Sequence, residues 1–530
     1  MTHRTGTLGL AVSIALLAGT LLWTASASAL PTVSEIPFNS GKLGHPYDSV
    51  PTDRSIPRAP FIDLAAHGYV EREFRMSGGA TTYRQSGFWS SNGNWSVSTS
   101  QTNVPYKTRL LVGYPTNPAK FNGTVVFEWL NDTTGGDQDP VWSNIYEQAL
   151  ADGYAYVGVT AQKPGMRQLR TLDPQRYGSL GDSTDGQSYD IFTQAAQVVK
   201  ANSATLLGGL TPKKLVCSGD SQSAFRVVTY VNAIQPVKHA FDGFLAIGRS
   251  GAAAPIGDGL ISATPYPVRI RTDNTAKFIQ LNTEGDILEL GAGASRQADN
   301  GALRTWELPG AAHIDSHEAS YEVATIARDQ PNLPVPRCAL GTPITGTGTP
   351  LDGINEVNNM PLYELEHSAL VALQKWLVNG TPPPQSPQVS TIPLFFGAFH
   401  LVNHDSLGNA IGGIRLPEIV APTETYSAIN FATVDPRNLR PDQLFRLLQD
   451  TFTTLQTGEI TNQTLREQGL CLLSGFYLNL PKSTLTRLYS SHADYVAKYT
   501  AAANAAKAAG FLTAADAAAG IARAQAAPIP

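Results

Sequence analysis

The sequence predicts an α/β fold with a mostly parallel central sheet flanked by helices, and a repeated pattern of segments favours this class. Thr124–Leu130 and Tyr154–Thr160 are near-continuous apolar runs, as expected of strands buried on both faces of a parallel sheet. Trp142–Asp152 lies between them with helical spacing, so the three segments predict a strand–helix–strand unit. The apolar run Ala240–Ile247 and the segment Ala276–Thr283 continue the series of predicted core strands.

A further observation that favours this fold class is a short apolar run that leads through a turn of small residues into a helix-like segment. Lys214–Cys217 is the run, Ser218–Ser223 is the turn with Ser221 at its apex, and Phe225–Ala233 follows with helical character. A nucleophile elbow has this order of strand, tight turn and helix, with the serine hydroxyl exposed at the helix N-terminus. The usual motif is Gly-x-Ser-x-Gly, and Ser223 stands here in the last position. Serine is small enough to let helix and strand approach, so we predict Ser221 as a nucleophile.

Length and composition describe an ordinary globular protein. The chain has 530 residues, 42% of them hydrophobic and 15% charged, with a formal net charge of −5. A mildly negative chain without basic runs argues against nucleic acid as a partner. Scarce charge together with 47 glycines and 36 prolines favours a loop-rich secreted protein over a helical cytosolic one.

The N-terminus is typical of a secretory signal peptide. Arg4 gives a positive start, Leu8–Trp23 is an uncharged apolar run, and Ala25–Ala29 offers small residues at a cleavage site. A membrane anchor is the alternative, but the run is shorter than the roughly 20 residues that a span needs. We therefore predict cleavage after Ala29, a secreted protein, and no membrane span elsewhere in the chain.

The rest of the chain divides into three predicted regions. Residues 30–120 form an N-terminal extension, in which Gly68–Arg75 and Thr81–Gly87 alternate as two strands of a β-hairpin would. Residues 121–400 form the core, with an insertion at about 314–361. Residues 401–530 form a C-terminal extension that ends in an alanine-rich helical tail, interrupted by Gly510.

A serine nucleophile needs a base, and the base needs an acid to hold it. Glu284 and Asp286 follow the predicted strand that ends at Thr283, and His313 follows the predicted strand Ala302–Leu308. Ligands bind beyond the carboxyl ends of strands in open α/β sheets, and Ser, acid, His is the chain order of α/β-hydrolases. We predict Ser221 as nucleophile, His313 as base and Asp286 as acid, with Glu284 as the alternative acid.

Other histidines compete for the role of base. His317 lies one helical turn after His313 and is the local competitor. His400 and His404 follow an apolar run, which favours a structural or pocket-lining position.

Two further groups of residues are placed by position alone. An oxyanion hole needs two donors, one of them the backbone N–H of the residue after the nucleophile, which is Gln222. The second donor is expected in the loop after Thr124–Leu130, from Asn131, Asp132 or Thr133. The substrate pocket is expected to include the aromatic side chains of Trp142, Tyr177 and Phe399, each of which is equally compatible with the core.

No cofactor is predicted. The chain has no HExxH pair, no close His/Cys spacing suited to zinc and no Gly-x-x-x-x-Gly-Lys-Ser/Thr loop. Of the three cysteines, Cys217 is predicted as a buried thiol within the elbow strand. Cys338 and Cys471 are a candidate disulfide in an oxidising compartment.

Several stretches together resemble the large "alpha/beta hydrolase domain" proteins of bacteria and fungi. They are Phe121–Asn131, Asp173–Gly178, Gly219–Ser223, Thr283–Asp286, Gly310–His313, Leu407–Pro417 and Gly510–Asp516. The resemblance covers nearly all of the chain after the signal segment. It implies an α/β-hydrolase fold and serine hydrolase chemistry carried by Ser221, the Glu284/Asp286 pair and His313, and it implies no particular substrate.

These observations predict a secreted serine hydrolase that cleaves carboxylic esters, small or polymeric, through an acyl-enzyme. An acyltransferase would use the same residues while excluding water from the acyl-enzyme. An amidase or peptidase is a second alternative, which the absence of charged specificity features disfavours. A non-catalytic binding protein of the same fold is the least favoured, because such a protein would usually have lost one of the three residue types.

Overall fold

A computed structural model describes most of the chain after the predicted signal segment. The described residues are 1, 30–36, 62–181, 183–257, 264–329, 354–355, 357–394, 397–431, 443 and 463–529. Residues 2–29, nearly all of the predicted signal segment, and Cys338 lie outside them. None of the described helices is long and apolar enough to cross a membrane.

Nine of the described strands form one sheet, whose spatial order is β1-β2-β3-β5-β4-β6-β7-β8-β9. In chain order they are β1 (Thr32–Ile36), β2 (Tyr69–Ser86), β3 (Ser96–Pro115), β4 (Thr124–Trp129), β5 (Ala155–Val159), β6 (Lys214–Asp220), β7 (Gly243–Ile247), β8 (Lys277–Thr283) and β9 (Leu303–Leu308). The pairs β1–β2, β2–β3 and β3–β5 are antiparallel. All pairs from β5 across to β9 are parallel. The predicted α/β class with a mostly parallel sheet is confirmed.

Helices cover both faces of the sheet, and β4 shows why its sequence is almost wholly apolar. Val125, Phe127 and Trp129 point into one hydrophobic core, and Val126 points into the other. Alternate side chains of a strand point to opposite faces, so a strand covered on both sides must be apolar throughout. The exceptions in this strand are Thr124 at its start and Glu128, both of which are buried.

The helices follow the strands in the predicted alternation. They are α1 (Pro140–Asp152), α2 (Lys163–Leu172), α3 (Pro174–Tyr177), α4 (Ser188–Ala201), α5 (Ser203–Leu206), α6 (Gln222–Thr229), α7 (Gln235–Lys238), α8 (Glu284–Glu289), α9 (Ser316–Asp329), α10 (Leu362–Asn379), α11 (Pro417–Val420), α12 (Gln463–Ser474), α13 (Lys482–Leu488), α14 (His492–Ala509) and α15 (Ala514–Ala526). Between α6 and α7 the chain continues as a π-helical turn, Tyr230–Ile234. Short 3₁₀ turns lie at Pro118–Lys120, Asp185–Gln187 and Ala292–Ser295.

The N-terminal hairpin differs from its predicted form. The two strands expected at Gly68–Arg75 and Thr81–Gly87 are one continuous strand, β2, which pairs along its length with β3. Gly78 and Gly79 lie inside it and form no turn. At Gly79 a Cβ atom would stand 2.0 Å from Asn103 Oδ1, so glycine permits a close approach of the partner strand.

The C-terminal extension packs near the loop that follows β9. It contributes strands β13 (Glu424–Ser427) and β14 (Phe476–Asn479), which form a small sheet with β10 (Ile354–Asn355) of the predicted insertion. It also contributes the end of β12 (Phe399–Val402), which forms a hairpin with β11 (Thr391–Leu394) of the predicted core. The backbone N–H of Ile314 donates to the carbonyl of Leu473 at 2.9 Å. In the tail, Gly510 ends α14 in the left-handed conformation at φ 85°, and α15 packs back on α14 as a helical hairpin.

A buried ion network joins β2, β3 and the loop after β4. Arg109 lies 2.8 Å from Asp137 and 3.3 Å from Glu73, and all three side chains are at most 6% exposed. Arg176 adds a second contact to Glu73 at 2.5 Å. The Tyr177 hydroxyl also donates to Glu73, at 2.8 Å. A network of this kind is costly to break, because each unpaired charge would remain buried.

Replacing Arg109 with leucine is therefore expected to destabilise the fold by about 3–5 kcal/mol, since it removes the cation paired with the buried Asp137 and one of the two paired with Glu73. The measurement is the free energy of unfolding by denaturant. The matched control is Arg72→Leu, which removes a surface pair with Glu35, and we expect that control to cost about 1 kcal/mol or less. Equal losses of unfolding free energy in the two variants would show that the buried network contributes no more to stability than the surface pair.

Candidate active site

Ser221 lies on a strained turn between a strand and a helix. Strand β6 ends at Asp220, helix α6 begins at Gln222, and Ser221 adopts φ 53° and ψ −120°. Such a conformation costs a non-glycine residue about 1–3 kcal/mol and is found where the surrounding structure imposes it. A Cβ atom on Gly219 would stand 3.0 Å from the backbone and Cβ of Ser223. Strand and helix are therefore so close that both flanking positions require small residues, as a nucleophile elbow does.

His313 is held by Asp286 through one ring nitrogen. The His313 Nδ1 atom lies 2.5 Å from Asp286 Oδ1, and the two side chains are 2% and 0% exposed. The other oxygen of Asp286 accepts the backbone N–H of Thr283 at 2.6 Å, and the Thr283 hydroxyl accepts the N–H of Asp286. This capping box at the start of α8 fixes the carboxylate, so Nδ1 faces Asp286.

The other ring nitrogen of His313 faces the elbow. Nε2 lies 3.9 Å from the carboxylate of Asp220, the residue directly before Ser221. Residues from the ends of β6, β8 and β9 thus come together at the carboxyl edge of the sheet, where the sequence placed them.

Glu284 lies on the other side of α8 from Asp286. Its carboxylate accepts the backbone N–H of Gly310 at 2.8 Å and pairs with His404 Nε2 at 2.8 Å. The hydrogen bond to Glu284 raises the pKa of His404. Helix α8 begins directly after the strand, at Glu284, and residues two apart in a helix point in nearly opposite directions. The structure brings Asp286 to His313, and Glu284 to His404.

The competing histidines are engaged elsewhere. His317 Nε2 lies 3.0 Å from the carbonyl of Ser143, and its ring stacks on Tyr363 at 4.1 Å between centroids. His400 Nδ1 lies 2.9 Å from the Thr391 hydroxyl within the β11–β12 hairpin.

The loop after β4 lies against the elbow. The Asn131 side-chain amide donates to the backbone carbonyl of Asp220 at 3.2 Å. The backbone N–H of Asn131 donates to Gln138, and the backbone N–H of Thr133 donates to Asn131 Oδ1. Both of these backbone donors serve the loop itself, and Gln222 stays the predicted donor from α6.

The predicted pocket residues do not all lie at the site. Tyr177 is fully buried, its hydroxyl donates to Glu73, and it belongs to the ion network of the core. Trp142 is 3% exposed in the first turn of α1 and packs on Tyr156, so it too is a core residue. Phe399 is half-buried on β12, beside the hydrophobic cluster that includes Leu288.

A cavity of about 480 Å³ lies beside α8, between the core and the C-terminal extension. Glu284, Leu288, His404, Ile429 and Phe476 are among its lining residues. Ser221 and His313 are not among them. In the part of the chain that the structure describes, no three His, Cys, Asp or Glu side chains are grouped to hold a metal ion, and the predicted absence of a cofactor stays a prediction.

Buried carboxyl groups near the site were missed by the sequence reasoning. Glu128 accepts the backbone N–H groups of Val141 and Trp142 at the N-terminus of α1. Glu318 and Glu366 both accept from the Asn144 side-chain amide, at 3.1 Å each. Burial raises the pKa of all three acids well above the usual range. A glutamate inside the apolar run of β4 was the available signal.

Gly248 directly faces the His313 ring. It has φ 57°, and a Cβ atom there would stand 2.5 Å from His313 Cε1 and 2.9 Å from Nδ1. Replacing Gly248 with alanine is expected to push the imidazole out of line and lower kcat/KM on the order of 10²-fold, with KM little changed. Gly301→Ala is the control, because nothing lies within 4 Å of its Cβ. Wild-type kcat in Gly248→Ala would mean that the ring position is unimportant.

Comparison with known proteins identifies the family. The model of the "Alpha/beta hydrolase domain" family matches residues 34–522. The chain belongs to this family. A search of the curated proteins finds no match.

Solved structures with a similar fold include two bacterial proteins described as hydrolases. An α/β serine hydrolase without a lid from Xanthomonas campestris, XC6422, is 11% identical, with a TM-score of 0.25 over 47% of this chain and 90% of that one. A putative dienelactone hydrolase from Klebsiella pneumoniae is 13% identical, with a TM-score of 0.26 over 42% of this chain and 92% of that one. Scores of this size carry no conclusion about substrate or activity. The family match, with the sheet described above, places this chain among the α/β hydrolases.

Proposed function

We propose that this α/β hydrolase is a secreted serine esterase, with Ser221 as nucleophile, His313 as base and Asp286 as the acid that orients it. The observation that carries the proposal is the position of His313. Its Nδ1 lies 2.5 Å from a buried carboxylate, and its Nε2 faces the strained turn that bears Ser221.

The reaction follows from this arrangement. The Ser221 hydroxyl attacks the ester carbonyl while Nε2 takes its proton, and Asp286 stabilises the resulting imidazolium through Nδ1–H. Backbone N–H groups, from Gln222 and from the loop after β4, stabilise the oxyanion. The tetrahedral intermediate expels the alcohol, which receives the proton from Nε2, and an acyl-serine remains. Water then attacks the acyl-serine by the same route, releasing the carboxylic acid and restoring the serine.

An ester has the lower barrier to cleavage at such a site, because an alcohol leaves a tetrahedral intermediate more readily than an amine. Esters are therefore the first substrates to test. The experiment is a series of p-nitrophenyl esters of increasing acyl length, compared with the matched anilides. Faster turnover of the esters supports the proposal, and faster turnover of the anilides would replace it with an amidase.

The same assay separates hydrolysis from acyl transfer. An added alcohol acceptor diverts the acyl group to a new ester in a transferase, whereas a hydrolase continues to release the free acid. Product analysis in the presence of the acceptor decides between the two. Predominant formation of the new ester would overturn the esterase proposal.

Export is part of the proposal. It rests on the signal-like segment and is supported by Cys471, which is disulfide-bonded and so favours an oxidising compartment. The candidate partner, Cys338, lies outside the described residues. N-terminal sequencing of the exported protein should begin at Leu30 if cleavage follows Ala29. Retention of the intact N-terminus on the cell would contradict export by this route.

A further inference from the structure

The cavity beside α8 has no role in the reaction proposed above. Its volume of about 480 Å³ falls in the range of about 300–1,000 Å³ that is typical of small-molecule sites. It is partly open to solvent, so a ligand can reach it from outside. Neither Ser221 nor His313 lines it, so it is a second concave site on the same protein.

The walls of this cavity are mainly apolar. The apolar side chains that line it include Leu288 from α8, Leu401 from β12, Ile429 from the segment after β13, and Phe476 and Leu478 from β14. Leu288 and Ile429 also belong to a buried hydrophobic cluster. An apolar molecule that enters the cavity covers these side chains and releases the water next to them, which favours binding.

The hydroxyl groups in the wall already have partners within the protein. Thr425 Oγ1 donates to the carbonyl of Leu407 at 2.7 Å, and Ser427 Oγ donates to the carbonyl of Ile429 at 2.9 Å. The Tyr426 hydroxyl donates at 2.8 Å to the carboxylate two residues before it. Because these donors are committed to the protein, the wall offers a polar ligand little to compensate for the loss of its hydration.

The charged side chains of the wall form an ion pair. Among the described lining residues they are Glu284 and His404. Glu284 accepts from His404 Nε2 and from the backbone N–H of Gly310, at 2.8 Å each. The hydrogen bond to Glu284, the charges of Glu284 and Asp405 and a backbone hydrogen bond to Val402 raise the pKa of His404. An ionised His404 thus has its counterion in place, and an anionic ligand would be buried without an unpaired cation beside it, which costs free energy.

We propose that the cavity is a binding site for one small, uncharged, apolar molecule, with an alkyl chain or an aromatic ring as its main part. This inference goes beyond the proposed esterase activity and does not depend on it. An apolar cavity of about 150 Å³ is large enough to bind benzene, so a volume of about 480 Å³ accommodates a molecule about three times as large.

Helix α8 separates this cavity from the candidate catalytic acid. Glu284 and Leu288 lie four residues apart and so share the face of α8 that lines the cavity. Asp286 lies on the other side, where it contacts His313. A ligand in the cavity therefore contacts the helix that carries the acid without contacting the nucleophile or the base.

The test uses N-phenylnaphthylamine, an uncharged dye whose fluorescence rises in apolar surroundings, titrated into the full chain. The wild type is expected to bind the dye saturably at one site. Leu478→Trp is expected to weaken dye binding by about tenfold or more, because the larger side chain fills space that the dye needs. Leu401→Trp fills the cavity from β12 and is the second variant in case Leu478→Trp does not fold, which thermal unfolding checks. The matched control is Val420→Trp, because Val420 is 50% exposed on α11 and does not line the cavity.

Competition against the bound dye tests the class of ligand. Octanol and octanoate have the same chain length and differ in charge at about pH 8. Octanol is expected to displace the dye, and octanoate is expected to need a concentration at least about tenfold higher, because its carboxylate would leave water without a free cation to pair with.

Dye affinity that falls in both leucine variants and is unchanged in Val420→Trp supports the proposal. Absence of saturable binding to the wild type, or equal affinity in all the variants, overturns it. Displacement by octanoate as readily as by octanol would overturn the uncharged class of ligand. The assay involves no ester cleavage, so its failure is distinct from failure of the esterase proposal, which would appear as wild-type protein that hydrolyses no ester.

Discussion

Ser221→Ala is expected to lower kcat for p-nitrophenyl ester hydrolysis by about 10⁴-fold or more, because removing the nucleophile of such a triad leaves only binding and oxyanion stabilisation. KM should change little, since the hydroxyl contributes to the chemical step and not to uniform binding of the substrate. The measurement is steady-state kinetics on both proteins. The burst of p-nitrophenol that reports acyl-enzyme formation should also disappear.

The elbow itself supplies the control for this prediction. Ser223 lies two residues away, is fully buried, and its hydroxyl has no hydrogen-bond partner in the described structure. Ser223→Ala removes a hydroxyl from the same turn and is expected to keep most of the wild-type kcat. Activity retained in Ser221→Ala would refute the serine mechanism, and equal loss in both variants would point to damage of the elbow and not to loss of a nucleophile.

The second large effect concerns the acid. Asp286→Asn is expected to reduce kcat by about 10⁴-fold, because an amide at Nδ1 favours the wrong tautomer of His313 while leaving the geometry intact. Steady-state kinetics on the same esters measure the loss. Thermal unfolding should confirm that the variant is folded, since the amide oxygen can still accept the backbone N–H of Thr283.

Glu284→Gln is the matched control, because it removes a buried carboxylate only two residues away in the chain. Its partners are His404 and the backbone of Gly310, so the variant is expected to affect stability more than turnover. If Glu284→Gln lost activity as severely as Asp286→Asn, the assignment of the acid would be wrong.

Much of the fold could be predicted because the spacing of apolar residues along the chain indicates strands and helices. Mainly apolar runs identified β4 to β7 to within a few residues, since a strand covered on both faces is apolar at most positions. Gly510 marked the break in the tail because glycine adopts φ 85° at a helix end without steric cost. The N-terminal hairpin was predicted wrongly. Gly78 and Gly79 are typical of a turn, but here they lie within β2, and Gly79 permits a close approach of the partner strand.

Part of the candidate site could likewise be predicted from the sequence, and part is known only from the structure. By itself the sequence determined the elbow at Ser221, the placement of His313 after β9 and the restriction of the acid to two residues, because each of these residues stands just past the end of a strand. Tertiary structure decided which carboxylate reaches the histidine, since α8 begins at Glu284 and turns Asp286 to the other side. It also placed Asp220 beside Nε2 and buried Tyr177 in the core, because such contacts join residues far apart in the chain that no local pattern relates.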